Sequence, residues 1–351
     1  MEQMKIKSRD GEYAVHFCDR IDFSHILTKD DVIVIDRYFA DLYRDELNNS
    51  IEAERCIFID ATEDQKSYIG IIPVIEELIQ RGFRKKNRLL AVGGGITQDV
   101  VAFTASILYR GVEWNLVPTT LLAQCDSCIG SKTSVNFGSY KNQVGGFYPP
   151  RNIYIAPRYL KTLRDEDIKS GLGEMLHYYV VGGEKDFAYF ESNCVKAMHD
   201  TKIMQNLIMR SLQIKKSYIE IDEFDRNERQ IFNYGHTFGH ALESATNYRV
   251  PHGIAVSYGM DMANTLAVKI GIMDEEIRDR IRNIAQQFWD DNYLANVDME
   301  RYIQALSKDK KNEGKNLAAI LCSGFGNLAK QLIDMDEEFI AFIHEYLQGR
   351  F

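Results

Sequence analysis

His236 and His240 stand four apart in NYGHTFGHALE, and His252 follows in PHGIAV. Residues four apart share a helix face, so the first two imidazoles meet on one side of a helix. A lone histidine is more often a satisfied core residue. Three within 17 positions, beside glycine or threonine, point to a metal or catalytic centre, because neutral imidazole is the commonest metal ligand. On spacing alone, His236 and His240 are the ligand pair.

A second set of groups suits a phosphorylated ligand. Gly93, Gly94 and Gly95 follow the apolar run RLLAV and precede an apolar segment that starts at Val100. Glycines let a backbone approach a pyrophosphate closely, and the next helix N-terminus supplies donors and positive dipole. Asp36, at the end of DVIVID, reads either as a partner for an adenosine ribose or as an ordinary turn aspartate. Between 110 and 150 lie Arg110, Asp126, Lys132, Lys141 and Asn142 among glycines and small polar residues. Glycine interruptions and the Pro-Thr-Thr turn predict loops there, on which such groups converge on a ligand. Cys125 and Cys128 form a C-x-x-C, but no second pair accompanies them. Packing thiols are the simpler reading than a redox or zinc-thiolate site.

These groups need a scaffold of two kinds. DVIVID (31–36), RCIFIDA (55–61) and RLLAVGGG (88–95) read as short buried strands. Apolar positions at helical spacing in SYIGIIPVIEELIQRG predict a helix closed by Gly82. This alternation implies a parallel sheet covered by helices. Prolines fall at 73, 118, 149, 150, 157 and 251 only, so the second half reads as mostly helical. Segments such as 186–200 and 206–222 carry the helical spacing. The expected division is a nucleotide-binding α/β domain over 1–155 and an α-helical domain over 156–351. The 351 residues suit two domains. A net charge of −9 argues against a nucleic-acid surface, though not against a small anion. The first residues carry no signal-peptide run and no 18-residue apolar stretch follows, so a cytoplasmic protein without a membrane partner is expected. Six scattered cysteines read as reduced thiols.

The motifs GGG-x3-D, RG-x5-VPTTLLA-x2-DS, K-T-x-V-N, KN-x2-G-x-F, SGL-x-E, DE-x5-R-x3-N-x-GHTFGHA-x-E and HG-x-AV-x2-GM occur in this order from about Glu63 to Lys311. In these the chain resembles 3-dehydroquinate synthase and its relatives, the sugar phosphate cyclases. The resemblance implies a Rossmann-like α/β nucleotide-binding domain followed by a mostly α-helical one. It implies NAD and a zinc ion, with cobalt as an alternative metal. It moves the metal ligands from the His236/His240 pair to Glu174, His236 and His252. Asp99 and the three glycines would hold NAD, helped by Asp36, Glu63, Lys66, Thr119, Thr120 and Lys141. Asp126, Lys132, Asn142, Lys215, Arg229, Asn233, His240 and the 309–311 segment, with Lys311, would surround a phosphorylated sugar. Arg110 resembles an arginine that reaches a neighbouring subunit's substrate, which implies a homodimer. The family reaction is redox-neutral: oxidation of a ring hydroxyl, β-elimination of phosphate, return of hydride, ring opening and aldol closure to a carbocycle. In 3-dehydroquinate synthase this is a step of the shikimate pathway to aromatic amino acids.

Four positions depart from the usual pattern. Ser131 replaces the second glycine of G-G-K, His177 a lysine, and Ile254 the acid of H-G-E; the loop before Lys141 reads FGSY. His177 bears most on the substrate, since imidazole and ammonium hold a hydroxyl differently. The substrate class thus includes the keto acid of the shikimate pathway, glucose 6-phosphate and sedoheptulose 7-phosphate. A polyol dehydrogenase with the same two-domain plan is a further alternative. Retention of Lys215, Arg229 and Asn233 favours the first, which alone carries a carboxylate.

Overall fold

The computed structural model describes every residue except 1, 139, 291, 309–311, 313, 315, 350 and 351. The chain forms two compact units: residues 1–163 with 216–224, and residues 164–215 with 225–351. Among the described residues no helix is long and apolar enough to cross a membrane.

In the first unit, strands β1 (Glu2–Ser8), β2 (Gly11–Phe17), β3 (Val32–Asp36), β4 (Cys56–Ile59), β5 (Leu89–Gly93) and β6 (Trp114–Pro118) are joined by β9 (Asn152–Ile155). They build one sheet in the order β1-β2-β9-β6-β5-β3-β4. All neighbours are parallel except β1 and β2, which form an antiparallel hairpin at one edge. The three runs read as strands from sequence are β3, β4 and β5, and the expected helix spans Ile72–Gln80. Gly82 ends that helical segment at φ +75°, a left-handed stop that glycine adopts without a Cβ penalty. Parallel strands covered on both sides are near-continuous apolar runs, and every residue of β5 and β6 is buried, the polar Asn115 included. One face packs Ile33, Ile35, Leu90, Val92 and Val117 against Phe23, Phe39 and Tyr159.

The 110–150 segment is more regular than loops. β6 is a buried, mostly apolar strand, and β7 (Lys132–Phe137) pairs antiparallel with β8 (Tyr140–Phe147). The hairpin escapes a periodicity reading because β8 keeps no buried face: none of its residues is fully buried.

The second unit is largely helical: Asp165–Val181, Glu184–Ala197, His236–Ala245, His252–Lys269, Glu275–Ala285, Met299–Ser307 and Glu337–Leu347 lie within it, together with most of Thr201–Ile219. An antiparallel pair, β10 (Asn316–Gly324) and β11 (Asn327–Asp334), interrupts the helices. Here the absence of proline misleads, since the apolar run LAAILC suits a strand as well as a helix.

Candidate functional site

In the first unit, the carboxyl ends of parallel strands gather the nucleotide-type residues, the usual ligand edge of such sheets. Asp36 ends β3, Gly93 ends β5, and Thr119 and Thr120 follow β6. The Gly93–Gly94 corner has no room for side chains. A Cβ on Gly93 would lie 2.4 Å from Thr97 Oγ1, and one on Gly94 2.8 Å from Thr120 Cγ2. Thr119 N–H donates to the Gly93 carbonyl at 3.0 Å, which ties the two strand ends together. The Gly95–Ile107 helix starts there without a side-chain cap, the kind of helix start whose first N–H groups suit an anion.

Around this corner Lys66 Nζ pairs with Asp99 Oδ2 at 2.6 Å, and Lys141 Nζ lies 3.4 Å from Glu63 Oε1. Burial would raise the Glu63 carboxyl, but the Asn136 amide and the Lys141 and Lys66 ammoniums hold it below its ordinary value. Asp36 moves the other way: burial raises it, against the pull of the Tyr38 and Phe39 N–H groups. Its Oδ1 accepts from Tyr38 N–H at 3.0 Å and caps the Arg37–Leu42 helix, so the turn-aspartate role is realised in the structure.

Asn136 is a residue to which sequence reasoning gave no role. Its amide donates to Glu63 at 2.8 Å, while its side-chain oxygen accepts Asn142 N–H at 2.9 Å. Asn142 sits at φ +53°, so Asn136 holds an unfavourable backbone conformation at a candidate substrate residue. The only signal was its place in K-T-x-V-N.

Asp126 lies in a π-helical turn, Ala123–Ser127, a form frequent at functional sites. Gln98 fastens that turn to the Gly95–Ile107 helix: its Nε2 donates to Ser127 O at 2.6 Å and its Oε1 accepts from Ser127 Oγ at 2.9 Å. Cys125 and Cys128 are buried beside it, and their thiols donate to the Leu122 and Gln124 carbonyls, as packing residues do. Arg110 follows Tyr109 in a turn where both take positive φ. Lys85 Nζ donates to the Tyr109, Arg110 and Gly111 carbonyls there.

In the second unit, Glu174 is almost fully buried on the Asp165–Val181 helix. Its Oε1 lies 3.5 Å from His236 Nε2 and its Oε2 3.5 Å from His252 Nε2. The ring nitrogens of His236, His240 and His252 fall within 4.8 Å of one another. His236 Nδ1 contacts the Tyr234 carbonyl at 3.2 Å, and His252 Nδ1 contacts Glu243 Oε2 at 3.3 Å. An Nδ1–H committed to an oxygen leaves Nε2 as the lone-pair donor. Two imidazole Nε2 atoms and a carboxylate therefore converge as an N/O donor set of the kind catalytic zinc takes. Glu243 was visible only as the last letter of the GHTFGHA-x-E motif.

Glycines make this convergence possible. A Cβ on Gly253 would lie 1.8 Å from Ser170 O, and one on Gly173 2.3 Å from Gly253 O. Gly253 N–H also donates to Ser170 Oγ at 3.0 Å. The Asp165–Val181 and His252–Lys269 helices thus touch backbone to backbone, which brings Glu174 to His252. A Cβ on Gly259 would lie 2.0 Å from Gly235 O, so the His236 helix closes on the same partner.

His177 is fully buried, with Nδ1 3.6 Å from Glu174 Oε1 and its ring 3.9 Å from that of Tyr178 and 5.4 Å from that of His236. Lys215 and Arg229 are nearly buried, and Lys215 Nζ lies 5.9 Å over the Tyr178 ring. Asn233 donates to Gln230 O at 2.9 Å, and His240 is exposed. Asp126, Lys132 and Asn142 belong to the first unit; Lys215, Arg229, Asn233 and His240 belong to the second. The 309–311 segment, with Lys311, lies outside the described residues.

Residues 56–170 match the family model of the 3-dehydroquinate synthase N-terminal part, and residues 171–312 that of the 3-dehydroquinate synthase C-terminal part. The chain is 34% identical to 3-dehydroquinate synthase of Dictyoglomus thermophilum, over 93% of this chain and 94% of that protein. It is 34% identical to a bifunctional 3-dehydroquinate synthase/phosphatase of Fusobacterium nucleatum over 93% of its own length, but spans only 49% of that longer protein. A solved 2-deoxy-scyllo-inosose synthase, complexed with carbaglucose-6-phosphate, NAD+ and Co2+, shares the fold with a TM-score of 0.85 at 23% identity. That match covers 99% of this chain and 100% of the other. The chain belongs to the 3-dehydroquinate synthase family.

Proposed function

We propose that the protein is an NAD- and zinc-dependent cyclase that converts a phosphorylated sugar into a carbocycle with loss of phosphate. The favoured activity is that of 3-dehydroquinate synthase, a carbon–oxygen lyase of the shikimate pathway. The observation that carries the reading is the convergence of Glu174 with His236 and His252 Nε2 in a chain of this family.

When bound, NAD supplies a reversible hydride acceptor and zinc a Lewis acid for a hydroxyl. Glu174, His236 and His252 would hold the metal, while Tyr234 O and Glu243 keep the imidazoles in the required tautomer. The glycine corner, Lys66, Asp99, Thr119 and Thr120 would receive the dinucleotide, with Asp36, Glu63 and Lys141 beside it. Lys132, His240 and Arg110 clamp the phosphate, Arg110 from a second subunit of a homodimer. Asp126, Asn142 and Asn233 orient the ring hydroxyls. Lys215 and Arg229 receive a carboxylate, for which arginine offers a bidentate fork. Their burial strengthens that attraction, since a low local dielectric screens it less. The departing phosphate serves as the base for its own elimination, so this scheme needs no dedicated protein base.

A second reading is a related cyclase acting on glucose 6-phosphate or sedoheptulose 7-phosphate. It is favoured by His177, an imidazole packed against Glu174 where the family pattern has a lysine. Phosphate release from the three candidate sugars decides between the two. Release from the seven-carbon keto acid alone supports the synthase, and release from one of the others moves the assignment. No release from any of them, with steady NADH from a plain polyol, rejects the cyclase reading altogether.

A further inference from the structure

Lys132 opens β7, and the residues that hold it come from far along the chain. The segment 216–224 returns to the first unit, where Glu223 Oε1 accepts from Ser131 Oγ at 3.1 Å and from Ser8 Oγ at 2.6 Å. Glu223 Oε2 accepts Arg9 N–H at 2.7 Å. Next to it, Phe224 meets Phe147 edge-on with ring centroids 5.1 Å apart, and Phe147 is the cross-strand partner of Lys132. Consecutive residues of one strap thus grip both strands at the Lys132 position.

Ser131 is buried and sits at φ +64°, a conformation costly for a residue with a Cβ unless its surroundings hold it. They do: Tyr148 N–H donates to Ser131 O at 2.6 Å, Gly130 N–H donates to Tyr13 Oη at 3.1 Å, and the Ser131 hydroxyl is bound to Glu223. Glycine would adopt the same backbone without that help. Serine here needs a partner, and the strap brings it.

We propose that Ser131 and Glu223 are positioning residues for Lys132: their hydrogen bond holds the left-handed turn that aims the Lys132 ammonium at the substrate phosphate. The inference rests on the reading above in which Lys132 binds the phosphorylated substrate. Both act through Lys132.

The test uses the full-length enzyme loaded with NAD and zinc, and the phosphorylated sugar that it turns over. Ser131→Ala keeps the conformational cost and removes the hydroxyl. Its KM for that sugar rises about tenfold, the scale of one hydrogen bond to a carboxylate, and kcat changes much less. Ser131→Gly, which needs no partner, stays within about threefold of the parent KM. Glu223→Gln raises KM as Ser131→Ala does, and the double variant is no worse than either alone, because one interaction has been removed twice. The Kd for NAD is unchanged in all of them. A purely structural role would lower Tm and leave KM alone, and that result, or additive effects in the double variant, overturns the proposal. Lys132→Met is the control. If it leaves KM unchanged, the substrate role of Lys132 is wrong and the inference falls with it. If it raises KM while Ser131→Ala and Glu223→Gln do not, only the inference fails.

Discussion

His236 and His252 each turn Nδ1 toward an oxygen, Tyr234 O in one case and Glu243 in the other, and present Nε2 to Glu174. His240 is exposed, with its ring nitrogen in the same histidine cluster. His252→Ala should strip bound zinc, whereas His240→Ala should keep most of it, measured as metal content after dialysis. Equal loss from both would refute the ligand assignment. Glu243→Gln should weaken zinc affinity about 10- to 100-fold, the usual effect of removing a carboxylate behind a metal-ligating histidine, as read by chelator competition. At this scale the sequence showed three histidines in a short span, and spacing alone singled out His236 and His240, whereas Glu174 faces His236 and His252. The i, i+4 rule sees one helix, and the candidate site is made by three. Glu174 entered only through the family resemblance, because a buried glutamate in a helix has no local signature of its partner.

At the scale of elements, glycines decide how near the helices come. Gly253→Ala would push a methyl into the Ser170 carbonyl, so backbone must shift. A loss of about 1–3 kcal/mol is expected, measured by the urea midpoint, together with weaker metal binding as Glu174 moves away from His252. An unchanged midpoint with full zinc retention would mean that the helices are not in contact there. The strands β3, β4 and β5 were legible because buried parallel strands are continuous apolar runs. The β7–β8 hairpin was not, since its β8 residues are mostly polar or glycine. Proline-free sequence correctly suggested helices across the second half, yet concealed β10 and β11, because the absence of a helix breaker does not require a helix.

Across the whole molecule, the two-part plan was legible as a change from β-α alternation to helical spacing. The return of 216–224 to the first unit was not, since nothing local marks a strap whose partners are Ser8, Arg9 and Ser131. The first unit also carries an acid-sensitive pair: buried Asp31 receives Arg88 Nη2 at 2.7 Å, and Thr28 N–H at 2.7 Å. Burial would raise its pKa, but Arg88 and Thr28 hold it below the ordinary value. A depressed carboxyl stabilises the fold above its unfolded pKa, and that contribution is lost as pH falls through the unfolded value toward the folded one. Asp31→Asn should therefore cost about 3 kcal/mol near neutral pH, and the gap to the parent should close below about pH 4 in denaturant titrations. A gap independent of pH would contradict the ionised pair.

Following phosphate release and NADH absorbance together, with limiting NAD and the seven-carbon keto acid phosphate, tests the central claim most directly. The cyclase predicts many phosphates released per NAD with no accumulating NADH, because the hydride removed is returned. Net NADH formed in step with substrate consumption, or NADH without phosphate, would contradict it.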